Sequence, residues 1–415
     1  LKLRFPFLGI ELTTGRDRGQ VYASGDAGVI LDSADKIAQY LRDGGSTTSG
    51  ANVNSNTAMR VAAVFRCVSL ISGAVATMPL QLKRRTNTNT TQSASGEPEA
   101  SLFTRRPNRW MTASAFKRMM TAHVLLRGNA YALKVFNTAG RVRSLIPIHP
   151  DRVLVKQRAD LSLEYEYTRP AGGKIDIPQS DMLHLIGLTL DGVNGVSVIQ
   201  YAREAIGLSM QTEAHGATVF KNGATVGSVL MSKKILGQEA ADNLRDSMEK
   251  YRGAENAHKT LVLEEDMDFK PLGMTAEDAQ YIETRKFTRS EIAMFFGVPP
   301  HMIGDTEKAT SWGSGIEQQA QGFVAYTLED WLTTWEETGD RDILQADDLF
   351  WRFNRAALIR GDIKTRYEAY AKGRTGGWLS VNDIRGWEDL NPIEDGDIYL
   401  EPLNMKPAGD SHEPL

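Results

Sequence analysis

Residues Met274–Gly315, MTAEDAQYIETRKFTRSEIAMFFGVPPHMIGDTEKATSWGSG, decide how this chain is read. The stretch opens on a capping box, Thr275 and Asp278, in which a hydroxyl and a carboxylate three residues on satisfy two orphan helix amides reciprocally. A helix is expected from there to Phe296. Gly297, Val298, Pro299 and Pro300 then stop it, because glycine accepts the left-handed turn past a helix end and proline cannot donate the next hydrogen bond. Beyond them Asp305 to Gly315 is polar and expected to be loose. A rod that ends in an abrupt turn and carries a loop presents a flexible element from a fixed support.

The rest of the chain sets the class. Its 415 residues suffice for more than one domain and a sizeable core. Hydrophobic residues at 41% and charged residues at 24% exclude a wholly disordered or fibrous chain. A net charge of -4 argues against a protein that grips nucleic acid by neutralising many phosphates, but not against one that lets it slide past. The single cysteine, Cys67, excludes an intrachain disulfide and a multi-Cys zinc site. With Val64, Phe65, Val68 and Leu70 around it, Cys67 reads as a core thiol. The longest apolar run, Val61–Leu80, is interrupted by Arg66 and two serines, too polar for a good membrane span. With no secretory signal in view, the expectation is a cytosolic product without an anchor.

Outward from the opening stretch, the first fifty residues are Gly- and Thr-rich around a short helical candidate, Ser33–Arg42, and are expected as a flexible arm. Helical spacing runs from Thr57 to Met78, Pro79 ends it, and a strand follows at Leu80–Leu82, then a Thr/Ser/Asn loop over Thr86–Glu99. Thr112 caps a helix to Arg127, with Gly128 just beyond. Short strands at Tyr131–Val135, Leu145–Ile148, Val153–Lys156, Leu163–Tyr167 and Met182–Ile186 predict a small, mainly antiparallel sheet. Ser197 then caps a second rod, Val198–Asn222, in which Gly207 and Gly216 mark close packing. Between the rods lies an α/β insert, Gly223–Met274, whose helix Gln238–Tyr251 turns Leu244, Met248 and Tyr251 inward. Past the loop come a long helix Gly315–Glu337, a strand Leu349–Asn354, and helices Asp362–Lys372 and Ser380–Glu388, the last capped by Ser380 with Asp383. The tail from Asn404 has no periodicity and is expected to be mobile. The fold class is α+β, predominantly helical.

Chemistry is nearly absent. The one Gly-Lys pair, Gly173-Lys174, is followed by Ile175, so no phosphate-binding loop of the G-x-x-x-x-G-K-[ST] form is present. Neither H-E-x-x-H nor G-x-S-x-G occurs, and the seven histidines show no ligand spacing. Glu264-Glu265-Asp266 and Asp347-Asp348 offer carboxylates to Mg²⁺, the basis for an alternative reading as a metal-dependent nuclease, but solvated turns explain them more simply. No cofactor is expected, and no enzyme.

One ordered set of segments carries a resemblance. It comprises Val61–Val68 with Met78-Pro79-Leu80; Arg106-Pro107-Asn108 before Phe116; Leu126–Tyr131; Asp181–Leu185; Gly195-Val196-Ser197; Phe220–Ala224; and Phe296–Pro300. In this order they resemble the phage portal proteins of the HK97 type. The resemblance implies a ring of twelve subunits at one capsid vertex, through which double-stranded DNA is packaged and ejected. It further implies docking of the terminase large subunit and later the head-tail adaptor, contact with the major capsid protein, and residence in the virion after assembly in the host cytoplasm.

Mapped residue by residue, the resemblance makes 1–55 an arm, 56–196 the wing, 197–222 and 275–297 the two stem helices, and 223–274 the clip. It makes 298–315 the turn and tunnel loop, 316–345 the long tunnel or wing helix, 346–361 a wing strand, 362–403 the crown and 404–415 a tail. Gly297, Val298, Pro299 and Pro300 would anchor the loop, and Asp305, Thr306, Lys308, Thr310, Ser311, Trp312 and Ser314 would face DNA. Leu244, Met248 and Tyr251 would form the clip core. Val198 and Glu329-Asp330 depart from the family's pattern, which favours proline there. A non-portal adaptor that shares this architecture is the remaining alternative.

Overall fold

Local caps and side-chain shape set most of the element boundaries. The computed structural model describes residues 2–5, 10–14, 21–23, 30–31, 47–87, 90–221, 228–231, 237–238, 242, 268–271, 276–305, 319, 321–355, 363–388 and 390–400. The first strands, β1 (Lys2–Phe5), β2 (Ile10–Thr14), β3 (Val21–Ala23) and β4 (Ile30–Leu31), pair as an antiparallel meander where an irregular arm was expected. Ile10, Thr13, Thr14 and Val21 are β-branched and suit a pleated backbone, a signal that the glycines between them obscure. The candidate helix Ser33–Arg42 lies outside the described residues.

The helix expected from Thr57 is two helices. Asn54 caps α1 (Ser55–Ala58) in a reciprocal box with Thr57, and extended Val61 opens α2 (Ala62–Thr77). Pro79 then follows an extended Met78, and β5 (Leu80–Asn87) begins. β5 folds back on β6 (Thr90–Ser93), so a hairpin occupies part of the expected loop. After α3 (Ala100–Thr104), Thr112 caps α4 (Ala113–Arg127) by accepting the Ala115 amide, as its position predicts. α2 packs on α4, burying Val64, Cys67, Val68, Ile71 and Val75 against Phe116, Met120 and Val124. Burial pushes the Cys67 thiol up to about 12, which makes it the core thiol expected.

The strand region forms two sheets rather than one. β7 (Asn129–Phe136) and β8 (Val142–Ile148) join β12 (Met182–Ile186) in the order β12-β7-β8. β9 (Val153–Gln157), β10 (Leu163–Thr168) and β11 (Lys174–Pro178) pair as β11-β10-β9, and β11 is a strand absent from those expected. All neighbours are antiparallel, and the two sheets share a core of Tyr131, Ile148, Val153, Tyr165, Ile177 and Met182.

Ser197 caps α5 (Val198–Tyr201), and after Ala202 the rod continues as α6 (Arg203–Lys221). Thr47 lies against Gly207, the close packing that this glycine predicted. In the insert the described residues hold one antiparallel strand pair, β13 (Ser228–Met231) with β14 (Asp268–Pro271); the expected strand Thr260–Glu264 and the helix with Leu244, Met248 and Tyr251 lie outside them. α7 (Ala276–Phe295) is the second rod and packs along α6, while Thr275 of the expected capping box lies outside the described residues.

The last long helix differs from its expected regular form: a π-helical turn, Phe323–Leu328, precedes α8 (Glu329–Ile343). α8 joins two sheets by their edges. β15 (Leu349–Phe353) is an edge strand in the order β15-β5-β6, and its outward amides at Trp351 and Phe353 donate to Asp340 Oδ1 and Glu336 Oε1, both at 2.7 Å. On the other flank, the backbone N–H of edge residue His184 donates to Asp342 Oδ2 at 3.1 Å, and Arg341 donates to its carbonyl at 2.9 Å. Carboxylates thus occupy the places where another strand would pair. Beneath them Trp335, Trp351, Phe103 and Phe116 form one aromatic cluster, and Trp335 Nε1 donates to Thr121 at 3.0 Å.

Leu1–Phe353 forms one compact unit and Asn354–Leu415 a second. Within the second, α9 (Ile363–Thr375) and α10 (Val381–Trp387) meet where Arg366 and Tyr370 both donate to Glu388, at 3.0 and 2.9 Å. Ser380 and Asp383 make the expected capping box in both directions.

Candidate functional site

The end of α7 is closed by two successive turns of the same type. Val298 N–H donates to Ala293 O at 2.9 Å and Gly297 N–H to Met294 O at 3.0 Å, the paired bonds of a Schellman cap. Gly297 supplies the left-handed residue at φ +65°, which a side chain would oppose. Pro299 is extended, and Pro300 starts a short 3₁₀ turn, Pro300–Ile303, at the one helical position where its missing N–H is no loss. The pattern then repeats: Asp305 N–H donates to Pro300 O at 3.0 Å and Gly304 N–H to His301 O at 3.2 Å, with Gly304 at φ +88°.

Three neighbours hold this double turn. Val298 and Phe296 are buried. Arg66 of α2 donates from Nε to Met302 O at 3.2 Å, and Thr327 of the π turn donates from its hydroxyl to Gly297 O at 2.6 Å. Asp305, the first residue of the expected loop, is tied back to α7: Ser290 donates to its Oδ2 at 2.7 Å, and Arg289 lies 3.8 Å from Oδ1. The chain therefore leaves Asp305 from a point fixed by three helical segments.

Gly297, Val298, Pro299, Pro300 and Asp305 come together here. Thr306, Lys308, Thr310, Ser311, Trp312 and Ser314, like Leu244, Met248 and Tyr251, lie outside the described residues. Sequence reading missed Arg66, Ser290 and Thr327. Ser290 lies one helical face from the turn, but nothing local marks Arg66 or Thr327 as partners of residues 236 and 30 positions away. The π turn did leave a signal, the five-residue interval between buried Phe323 and Leu328.

Of the carboxylates considered for metal, one is paired and three lie outside the described residues. Asp348 lies 2.9 Å from Arg84, and residues 264–266 are not described. Among the described residues no group of three His, Cys, Asp or Glu could hold a metal ion, and no described helix is long and apolar enough to cross a membrane. The histidines do meet in space: His123 and His149 stack edge-on at 5.3 Å. His184 bridges the Tyr165 hydroxyl and the Asn129 side chain at 3.1 and 3.0 Å. Burial first, then the Arg341 charge, holds the His184 ring down to about 3, so it is a neutral structural link.

Against known proteins, the family model described as phage portal protein matches residues 62–389. The chain belongs to the phage portal protein family. It is 33% identical to the portal protein of Enterobacteria phage HK97 over 365 residues, covering 87% of this chain and 86% of that one. It is 31% identical to the probable portal protein of Streptomyces phage phiC31, over 89% of this chain and 84% of the relative. Among solved structures, a chain in the neck of a native gene transfer agent particle, computed with C12 symmetry, matches 82% of this chain and 94% of its own length. That match has 25% identity and a TM-score of 0.56. As a portal protein, this chain is a virion component and works in a homo-oligomeric ring. The double turn after α7 is thus a feature of a portal subunit, within the span that the family model matches.

Proposed function

We propose that twelve copies of this chain close into a ring at one capsid vertex and form the channel through which double-stranded DNA is packaged and later ejected. In this reading α6 and α7 are the stem, 223–274 is the clip that docks the terminase large subunit and then the head-tail adaptor, and 362–403 is the crown. The wing meets the major capsid protein, and the ring assembles in the host cytoplasm. Residues 305–315 form the tunnel loop, with Thr306, Lys308, Thr310, Ser311, Trp312 and Ser314 toward DNA. The subunit has no catalysis of its own.

The observation that carries this reading is the double Schellman turn from Gly297 to Asp305, seated on α2, α7 and the π turn. It gives the following residues a fixed point of departure from the rod, which a constriction repeated around a ring requires. The C12 symmetry of the related neck supports the copy number. Charge is compatible: twelve copies of -4 give a formal ring charge of about -48, which favours sliding of DNA over its capture.

Deletion of residues 306–314 tests the reading. Electron microscopy of the purified variant should still show rings, while capsids that carry it should package or retain less DNA. A deletion variant that packages and retains DNA like the parent would remove the loop from the mechanism, and parent protein that never forms rings would overturn the channel itself.

A further inference from the structure

Along the last long helix the buried side chains Leu328, Leu332, Trp335 and Ile343 keep helical spacing, but Phe323 precedes Leu328 by five residues. On an α-helix that interval places two side chains about 140° apart, and on a π-helix roughly 50° apart. Both Phe323 and Leu328 are buried, and the backbone takes the π form that allows it: Glu329 N–H donates to Val324 O, five residues back. The turn contains one residue more than an α-helix of the same length needs.

We infer that this turn is a two-state register device, with one state occupied in the present structure. In the second state the segment is α-helical, Phe323 is turned out, and Val324, four residues before Leu328, takes its place. Each register has an apolar residue for the same site. The π form buries the larger ring at the cost of a looser backbone; the α form recovers regular hydrogen bonding and buries only Val324. Opposed terms of this kind make a helix bistable.

The two ends of the device differ in freedom. C-terminal to it, α8 is fixed by Glu336, Asp340, Arg341 and Asp342 to the edges of two sheets, so it cannot slide. N-terminal to it, conversion moves Gln321 and Gly322 by about 1.5 Å and about 100° of rotation. Within it, Thr327 donates to Gly297 O, so the register is felt at the end of α7. The structure thereby links the stop of one rod to the winding of another helix, independently of what passes through any channel.

Hydrogen–deuterium exchange on the full-length protein tests this. The amides of residues 323–329 should exchange about 100-fold faster than those of residues 332–343. Deletion of Ala325, which is exposed, brings Phe323 to α spacing before Leu328 and should slow them to the rate of α8. Phe323→Ala removes the ring that holds the π form, so it should raise protection about tenfold although it deletes a core contact. Loss of protection in Phe323→Ala, parent amides already as slow as those of α8, or an Ala325 deletion that unprotects residues 332–343 would each overturn the inference. Parent protein that forms no rings would instead count against the channel reading and leave these exchange rates standing.

Discussion

The clamp around α8 and the double turn after α7 both connect distant elements, but they use opposite means. At the clamp, carboxylates accept backbone amides of two edge strands above a buried cluster of four aromatic rings. At the turn, bonds are mostly backbone to backbone, with single side chains from α2, α7 and the π turn closing it at the surface. A buried clamp resists movement because breaking it strands desolvated charge and opens voids. A surface turn holds its own shape yet exchanges neighbours at little cost. In the proposed function, a subunit that keeps its wing rigid while presenting a loop has reason to use both.

Trp335→Ala should break the comparison most severely. It removes the ring that packs against Phe103 and Phe116 and bonds Thr121, with an expected loss of about 3–5 kcal/mol in denaturant unfolding. A loss below about 1 kcal/mol would show that the clamp is not where stability resides.

Acid should come next. His184 at about 3 and His123 at about 4 are both held below the ordinary 6.5, in each case mainly by burial. In the unfolded chain they take up protons near pH 6.5, so their contribution is complete above that pH and is lost as pH falls toward 4. The melting temperature should drop across this window, and His184→Asn should flatten part of the drop. A pH-independent melting temperature between 4 and 6.5 would contradict the burial of these rings.

The smallest effect is expected at the turn. Ser290→Ala removes one hydroxyl bond to Asp305 and should cost about 0.5–1.5 kcal/mol or less, while the amides of residues 301–305 exchange faster and those of α8 do not change. Slower packaging without loss of rings would extend the comparison to function.

The sequence by itself determined the features whose cause lies within a few residues. Thr112, Ser197 and the Ser380–Asp383 pair mark helix starts because a cap needs partners only two or three positions away. Gly128 and Gly297 mark helix stops because their backbone angles are local properties. The order of short segments also sufficed for the family.

Only the tertiary structure decided what depends on partners far along the chain. The bond from His184 to Asp342 spans 158 residues, and no pattern in either neighbourhood announces it. The split of one expected sheet into two, the hairpin at Thr90–Ser93 and the partners of Gly297 and Met302 belong with it. The π turn lies between these cases: the five-residue interval is in the sequence, but burial of both Phe323 and Leu328 makes the backbone follow it. Burial is a property of the packed whole, and it chose the register.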